Sequence, residues 1–162
     1  GRVILLNTYY YSPAGKVNKK APSELSKELN DFITKTSTQD HWKGARIIKR
    51  TIDSAEGALR NQYYKDYRIH LAPVSKKKKV DMIDYTTDLL AQGRFYYLKK
   101  PYPINMKHAD SNEIFIEEHK KFQWDEKTLH TDNPQVIEEN DHTCDQFIYL
   151  CLSNARDFRL KV

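Results

Sequence analysis

The sequence predicts an α/β domain built around one main sheet, and three observations support this. Runs rich in β-branched, aliphatic and aromatic residues alternate with segments of helical periodicity along the chain. The 162 residues are enough for one ordinary hydrophobic core, and we see no internal repeat or linker. Only 5 residues are glycine and 12% are aromatic, which argues against a mainly disordered chain. We expect a single domain over residues 1–162.

The first half of the chain is predicted to hold three strands and two helices. Apolar, β-branched and aromatic runs predict strands at 2–12, 45–52 and 67–72. Pro22 begins the first helix, and the second helix follows the strand that ends before Asp53. The apolar residues expected on the buried faces of these helices are Leu25, Leu29, Phe32, Ile33, Ala58, Leu59 and Tyr63.

The second half is predicted to hold one strand and three helices. A helix covers 80–92, Gly93 ends it, and a strand follows at 94–98. A further helix is expected at 112–122, and the stretch 138–145 opens the last one. The apolar residues of that last helix recur in steps of three and four, at Cys144, Phe147, Ile148, Cys151, Leu152, Ala155 and Phe158.

The two cysteines, Cys144 and Cys151, both lie on the last helix. A rise of about 1.5 Å per residue separates their Cα atoms by about 10 Å, which is too far for a disulfide. We therefore expect buried thiols in a reducing compartment. No apolar run approaches the roughly 20 residues that span a bilayer, and no signal peptide is visible.

Acidic residues at two distant points of the sequence suggest a metal site. Asp53 follows a predicted strand, and open α/β sheets place their ligands at such strand ends. Asp141, His142 and Asp145 share one side of the last helix, for which Asn140 is the expected N-cap. Carboxylate oxygens suit Mg²⁺ and Mn²⁺, Mn²⁺ tolerates an imidazole, and an imidazole can also transfer a proton. The alternative is that these acids only cap helices and suit the helix dipole.

Positive charge is concentrated in the first part of the chain. Residues 1–100 carry 20 basic against 10 acidic side chains, whereas 101–162 carry 7 against 12. This division suits a metal-dependent nuclease, but many unrelated proteins share it. The run before the third helix consists of Lys76, Lys77, Lys78 and Lys79. Such a run either contacts a DNA backbone without reading sequence or forms a solvated face. The sequence contains no P-loop motif, which excludes a P-loop ATPase.

The order of these motifs resembles the C-terminal nuclease domain of tailed-phage large terminase subunits. That family has a D-S-A-E strand end followed by a D-H-x-x-D-x-x-x-Y terminal helix, and both patterns occur here at 53–56 and 141–149. The lysine run, Gly93-Arg94-Phe95 and Trp124 lie between them in the expected order. The resemblance covers essentially the whole chain. It implies an RNase H-like fold, in which helices flank a mixed central sheet.

The same resemblance implies a metal-dependent endonuclease that cuts concatemeric viral DNA during genome packaging. Asp53 and Asp145 would ligate two Mg²⁺ or Mn²⁺ ions for phosphodiester hydrolysis by in-line attack of water. His142 would be a ligand or a proton-transfer group, and Asp141 a further candidate ligand. Glu56 would be a neighbour of the site.

The resemblance also implies the partners. Double-stranded DNA would be the substrate, held in part by the lysine run. The small terminase subunit and the portal protein would bind the full-length protein, in the host cell cytoplasm and not at a membrane.

One departure from the family concerns the first strands. In the family the sheet opens with a strand that bears the first catalytic aspartate, whereas the run at 2–11 most resembles the third strand. Neither Asp31 nor Asp40 has a comparable strand context. We therefore expect that the first acid and the ATPase domain are missing from these residues. Weak metal binding and slow cutting would follow.

Two other functions are compatible with the same residues. A non-catalytic nucleic-acid-binding or docking domain on this scaffold would bind DNA in a salt-sensitive way without cutting it. An α/β interaction module would not bind DNA even at low salt.

Overall fold

The computed structural model describes residues 1–161 and confirms the predicted α/β class. In chain order the strands and helices are β1 (Val3–Leu5), α1 (Pro22–Ser37), β2 (Thr51–Ile52), α2 (Gly57–Tyr67), β3 (Ala72–Pro73), α3 (Lys79–Ala91), β4 (Phe95–Tyr97), α4 (Glu113–Lys121) and α5 (His142–Ser153). Short turns of 3-10 helix lie at Asp40–Trp42 and Glu126–Thr128. None of the helices in the described part is long and apolar enough to cross a bilayer.

The chain divides into two compact units. The first unit combines Gly1–Leu5, Val74–Tyr97 and residues 113–161, and the second combines Leu6–Pro73 with Leu98–Asn112. Each unit contains a two-stranded parallel sheet, formed by β1 and β4 in the first unit and by β2 and β3 in the second. The described residues thus form two small parallel sheets and not the one main mixed sheet expected from the sequence. The single domain expected from the sequence stays a prediction.

Helix α5 lies at the centre of the first unit, because α3 and α4 both pack against it. One cluster in the buried core of this unit contains Leu89 from α3, Phe115 from α4, and Phe147 and Cys151 from α5. Phe95 of β4 packs against this core, with its ring centroid 4.7 Å from that of Phe147. Cys144, Phe147, Ile148 and Cys151 are buried on α5, as predicted. The predicted helix was too long, because α5 ends at Ser153 and Ala155 and Phe158 lie beyond it.

Both cysteines are free and buried, as predicted. Burial raises the pKa of the Cys144 thiol to about 12, and it raises the pKa of the Cys151 thiol to about 12 as well. The charges of Glu118, Asp141 and Asp145 add to the effect at Cys144. Because the thiolate is the reactive form, neither cysteine is a nucleophile at neutral pH.

Helices α1 and α2 pack against each other in the second unit. Tyr63 of α2 is fully buried, and its hydroxyl donates to Oδ1 of Asn30 at 2.9 Å. Ser26 of α1 is also fully buried, and its hydroxyl donates to Oδ2 of Asp66 at 2.8 Å. The apolar residues predicted for the buried face of α1 are only half-buried. Hydrogen bonds between the two helices therefore supplement a modest apolar contact.

The strands are shorter than the sequence predicts. The run at 2–12 contributes only β1 and an isolated bridge between Thr8 and Ser111. Of the run at 45–52, only the last two residues form a strand. The two isoleucines of this run, Ile47 and Ile48, are adjacent and flanked by cations, so apolar and polar residues do not alternate as they do in a half-buried strand. Both isoleucines are exposed, Ile48 to 74%.

Helix boundaries were easier to predict than strands. Both α3 and α4 lie within one residue of the predicted ranges, and Gly93 follows α3 with a φ of 65°. Two expectations were wrong. Helix α2 extends to Tyr67 and is capped by Arg68, which has a φ of 57°, so most of the strand predicted at 67–72 does not form. Helix α5 begins at His142, and Asn140 has a φ of 52°, which is not the conformation of an N-cap.

Candidate functional site

The N-terminus of α5 carries three of the residues that the sequence singles out. Asp141 is the N-cap, His142 is the first helical residue, and the backbone N–H of Asp145 donates to the carbonyl of Asp141 at 2.9 Å. Asp141 and Asp145 are half-buried, and His142 is exposed. Two carboxylates and an imidazole thus lie at the positive end of the helix dipole, which favours negative charge.

A lysine side chain pairs with one of these carboxylates. Lys79, the first residue of α3, donates from Nζ to Oδ1 of Asp145. The Lys79 side chain is 14% exposed and that of Asp145 is 30% exposed, so water screens this pair less than it screens a surface ion pair. The pair therefore adds an electrostatic link to the apolar packing of α3 on α5.

The pKa of Asp141 depends on its burial and on the charges around it. Partial burial raises the pKa of its carboxyl group, and the negative charge of Asp145 raises it further. Lys79 and His142 act in the opposite direction. The two carboxylates are therefore close enough to repel each other, and Lys79 offsets only part of their charge. Oxygen donors in this arrangement are those that Mg²⁺ and Mn²⁺ prefer, so the residues fit part of a metal site.

The α5 N-terminus does not supply a complete set of ligands. Within residues 1–161, no group of three or more His, Cys, Asp or Glu side chains is arranged to hold a metal ion. Mg²⁺ commonly binds through one or two carboxylates together with waters and substrate phosphates, and a pair of carboxylates meets that need. The metal site predicted at Asp53, Asp141, His142 and Asp145 stays a prediction.

Asp53 belongs to the second unit and directly follows β2, as the sequence predicts. Its Oδ1 accepts the backbone N–H of Ala55 at 2.9 Å, and its carbonyl accepts the N–H of Glu56 at 3.0 Å. This turn leads the chain from β2 into α2, whose N-cap is Glu56. Asp53 therefore stabilises a turn rather than capping the helix itself.

Sequence reasoning missed Glu118, which supports the start of α5. Glu118 is 2% exposed, and its carboxylate accepts both the backbone N–H of Thr143, at 2.8 Å, and the Thr143 hydroxyl, at 2.6 Å. Asp141 makes no such capping bond with its side chain, so Glu118 satisfies a helix donor in its place. The sequence did hold a signal: Glu118 lies three residues after Phe115, on the apolar side of α4, where an acid is unusual.

His119 of α4 is half-buried and packs against the core of the first unit. Its Nδ1 lies 2.7 Å from the carbonyl of Phe115 and must donate, because a carbonyl can only accept. Its ring centroid is 4.0 Å from that of Phe115. Burial lowers the pKa of the imidazole, which therefore stays neutral at pH 7.

The four lysines before and at the start of α3 do not share one environment. The Nζ atoms of Lys76 and Lys77 lie 5.1 and 5.2 Å from the ring centroids of Tyr149 and Tyr85. The first three lysines are exposed, whereas Lys79 is partly buried against an acid. The run is therefore not a uniform solvated face. Its predicted role in contacting DNA stays a prediction.

The family of this chain is shown by comparison with known proteins. The family model described as "Terminase RNAseH like domain" matches residues 1–151. No curated protein matches the chain.

Solved structures of a large terminase from a thermophilic bacteriophage share the fold. Crystal form 2 of that protein is 18% identical over 91% of this chain, with a TM-score of 0.68. Its complex with ATP-gamma-S is 17% identical over 88% of this chain, also with a TM-score of 0.68. This chain covers 31% of the length of each. The RNase H-like fold is thus confirmed, and the chain belongs to the family of terminase RNase H-like domains.

Proposed function

We propose that this chain is the nuclease domain of a large terminase and hydrolyses phosphodiester bonds of double-stranded DNA with the help of divalent metal ions. The observation that supports this most is the pair of half-buried carboxylates, Asp141 and Asp145, at the N-terminus of α5. A pair of nearby acids raises the free energy of a site unless a cation neutralises it, and metal-dependent hydrolysis of phosphodiesters uses cations held in this way.

Asp145 is the central metal ligand of this proposal. Its carboxylate lies at the boundary of the core, and its neighbour Cys144 is 1% exposed, so the helix holds it in a fixed direction. Asp53 is the second proposed ligand, and its turn after β2 fixes its backbone. A bound Mg²⁺ or Mn²⁺ would polarise the phosphodiester and activate a water molecule.

His142 and Asp141 have supporting roles in the proposed reaction. His142 is exposed at the first position of α5, where its imidazole can take up or release a proton at the reacting phosphate. Asp141 supplies a further carboxylate oxygen. Glu118 holds the first turn of α5 through Thr143 and so keeps these groups in place.

The exposed lysines Lys76, Lys77 and Lys78 are proposed to hold the DNA backbone. Tyr149 and Tyr85 lie under the first two, which restricts their motion while leaving the ammonium groups in contact with solvent. Binding through phosphate contacts weakens as salt rises. Each neutralised phosphate contributes about −0.9 to the slope of log K against log salt concentration. Binding without base contacts suits an enzyme that cuts many sequences.

The wider setting is proposed from the family. The full-length protein would cut concatemeric viral DNA during genome packaging in the host cytoplasm, with the small terminase subunit and the portal protein as partners. Residues 1–162 would contribute the cutting step alone.

Nicking of supercoiled plasmid in Mn²⁺ tests the proposed activity. Asp145→Asn and Asp53→Asn each remove a proposed ligand. Loss of a group that only supports a metal ligand costs up to about 100-fold in activity, so we expect the loss of a ligand itself to lower the rate by at least about 100-fold. Asp132→Asn changes an exposed loop acid and serves as the matched control, with an unchanged rate. Circular dichroism checks that each variant folds. If both ligand variants nick plasmid as fast as the unaltered chain, the site assignment is wrong.

A second candidate function is DNA binding without cleavage on the same scaffold. Two observations favour it. Lys79 already neutralises Asp145, and residues 1–161 contain no group of three or more His, Cys, Asp or Glu side chains arranged to hold a metal ion. Salt-sensitive DNA binding with no nicking in either Mn²⁺ or Mg²⁺ would support it.

A further inference from the structure

Lys79 differs from the other three lysines of its run. Its side chain is 14% exposed and bonds to the carboxylate that we propose as the central metal ligand. Lys78, its direct neighbour, is exposed and forms the N-cap of α3. Two consecutive lysines thus have different environments: Lys78 faces solvent, and Lys79 is partly buried in the first unit.

The position of Lys79 needs an explanation, because it is unfavourable by itself. A cation at the first position of α3 lies at the positive end of that helix, where the dipole disfavours it. Partial burial of an ammonium group adds a loss of hydration. The carboxylate of Asp145 compensates for both, and the negative charge of Asp141 adds to the attraction. Lys79 therefore occupies the place where the negative charge of α5 is concentrated.

We propose that Lys79 is a built-in counter-cation, which neutralises Asp145 in the metal-free protein and is displaced from it when a divalent cation binds. This inference rests on the proposed function, since it assumes that Asp145 is a metal ligand. A carboxylate oxygen that accepts a lysine proton offers less charge to a metal ion, so the ammonium and the metal compete for the same group. Lys79 thereby lowers metal affinity while it keeps the site stable in the absence of metal.

Mn²⁺ binding by calorimetry tests the competition directly, without reference to cleavage. Lys79→Met keeps most of the aliphatic side chain and removes the charge. An opposite charge this close alters the proton affinity of a carboxylate by about 10- to 1,000-fold, so we expect Mn²⁺ to bind at least about tenfold more tightly to this variant. Lys78→Met removes a charge from the adjacent, exposed position and should leave the affinity within about twofold, because exposed charges are screened.

Thermal unfolding gives a second readout, which works even where the unaltered chain binds Mn²⁺ too weakly for calorimetry. In EDTA, Lys79→Met should unfold at a lower temperature, because Asp145 and Asp141 lose their compensating charge. Added Mn²⁺ should raise its unfolding temperature more than it raises that of the unaltered chain. Lys79→Gln provides a second uncharged variant, in case the methionine packs poorly.

The outcomes separate this inference from the proposed function. Unchanged or weaker Mn²⁺ binding by both Lys79 variants overturns the counter-cation role. If Asp145→Asn still abolishes binding in that case, the metal site itself survives. Tighter Mn²⁺ binding by Lys79→Met that Asp145→Asn removes supports the counter-cation role, even if no variant nicks plasmid. Failure of Mn²⁺ to bind any of these proteins overturns it.

Discussion

The two aspartates at the centre of this account have different local surroundings. Asp53 sits in a turn after β2, where its carboxylate accepts a backbone N–H from Ala55. Asp145 sits one turn into α5, where its carboxylate meets the ammonium group of Lys79. The first arrangement is a backbone device that many strand-to-helix turns use. The second combines an ion pair with a second nearby carboxylate, that of Asp141.

This difference shows why a motif alone does not settle the role of an acid. Both aspartates occur in motifs that resemble one nuclease family. The surroundings of Asp145 add an ion pair with Lys79, whereas those of Asp53 add a hydrogen-bonded turn. The contrast can be sharpened by mutations that affect stability.

Glu118→Ala should destabilise the first unit the most, by about 2–3 kcal/mol. It leaves the backbone N–H and the hydroxyl of Thr143 without their carboxylate acceptor in a buried place. Urea unfolding measures the loss. Glu117→Ala on the exposed side of α4 is the control and should change stability by less than about 0.5 kcal/mol. Equal effects of the two variants would show that Glu118 does not support α5.

Asp145→Ala should cost about 1–2 kcal/mol in the absence of metal. It leaves the ammonium group of Lys79 partly buried without its partner, and we place the cost below that of a fully buried pair because 30% of the Asp145 side chain is exposed. Unfolding in EDTA measures this cost. The double variant Asp145→Ala with Lys79→Met should recover part of the loss, and no recovery would argue against a direct interaction.

Asp53→Ala should have a smaller effect, of about 0.5–1 kcal/mol. The amide of Ala55 that loses its acceptor is exposed, so water can replace the carboxylate. Urea unfolding under the same conditions gives a direct comparison with Asp145→Ala. A loss larger than that of Asp145→Ala would reverse the contrast between the two aspartates.

Asp141→Asn should have the smallest effect, and it should depend on pH. The raised pKa of Asp141 means that the folded state binds this proton more tightly than the unfolded state. The group therefore reduces stability as pH rises from the ordinary pKa of 3.8 through the raised pKa. In EDTA, Asp141→Asn should be slightly more stable than the unaltered chain at pH 7, by less than about 0.5 kcal/mol. The two should converge below pH 3.8. A variant that is less stable at pH 7 would contradict the repulsion between Asp141 and Asp145.

Sequence patterns predicted the helices of this chain well and its strands poorly. The spacing of apolar residues identified the buried face of α5, because α3 and α4 cover that face and helical periodicity reports it. The run at 45–52 has strand-forming residues but no alternation, and its pairing partner is distant in sequence. Pairing between distant segments cannot be read from local composition.

The candidate site was predictable in part. The acids at the start of α5 were found from their spacing, and their neighbour Lys79 was noticed as one of a charged run. Its pairing with Asp145 was not foreseen, because it depends on how α3 packs on α5. Glu118 was missed for the same reason: its partner Thr143 lies on another helix.

Direct Mn²⁺ binding to the unaltered chain and to Asp145→Asn, followed by electron paramagnetic resonance, is the most direct test of the claim that the N-terminus of α5 holds a divalent cation. We expect saturable binding by the unaltered chain and by the control Asp132→Asn. Asp145→Asn should weaken binding by at least about tenfold, because a ligand and its charge are lost. If Asp145→Asn binds Mn²⁺ as tightly as the unaltered chain does, the metal is not held at α5 and the claim is contradicted.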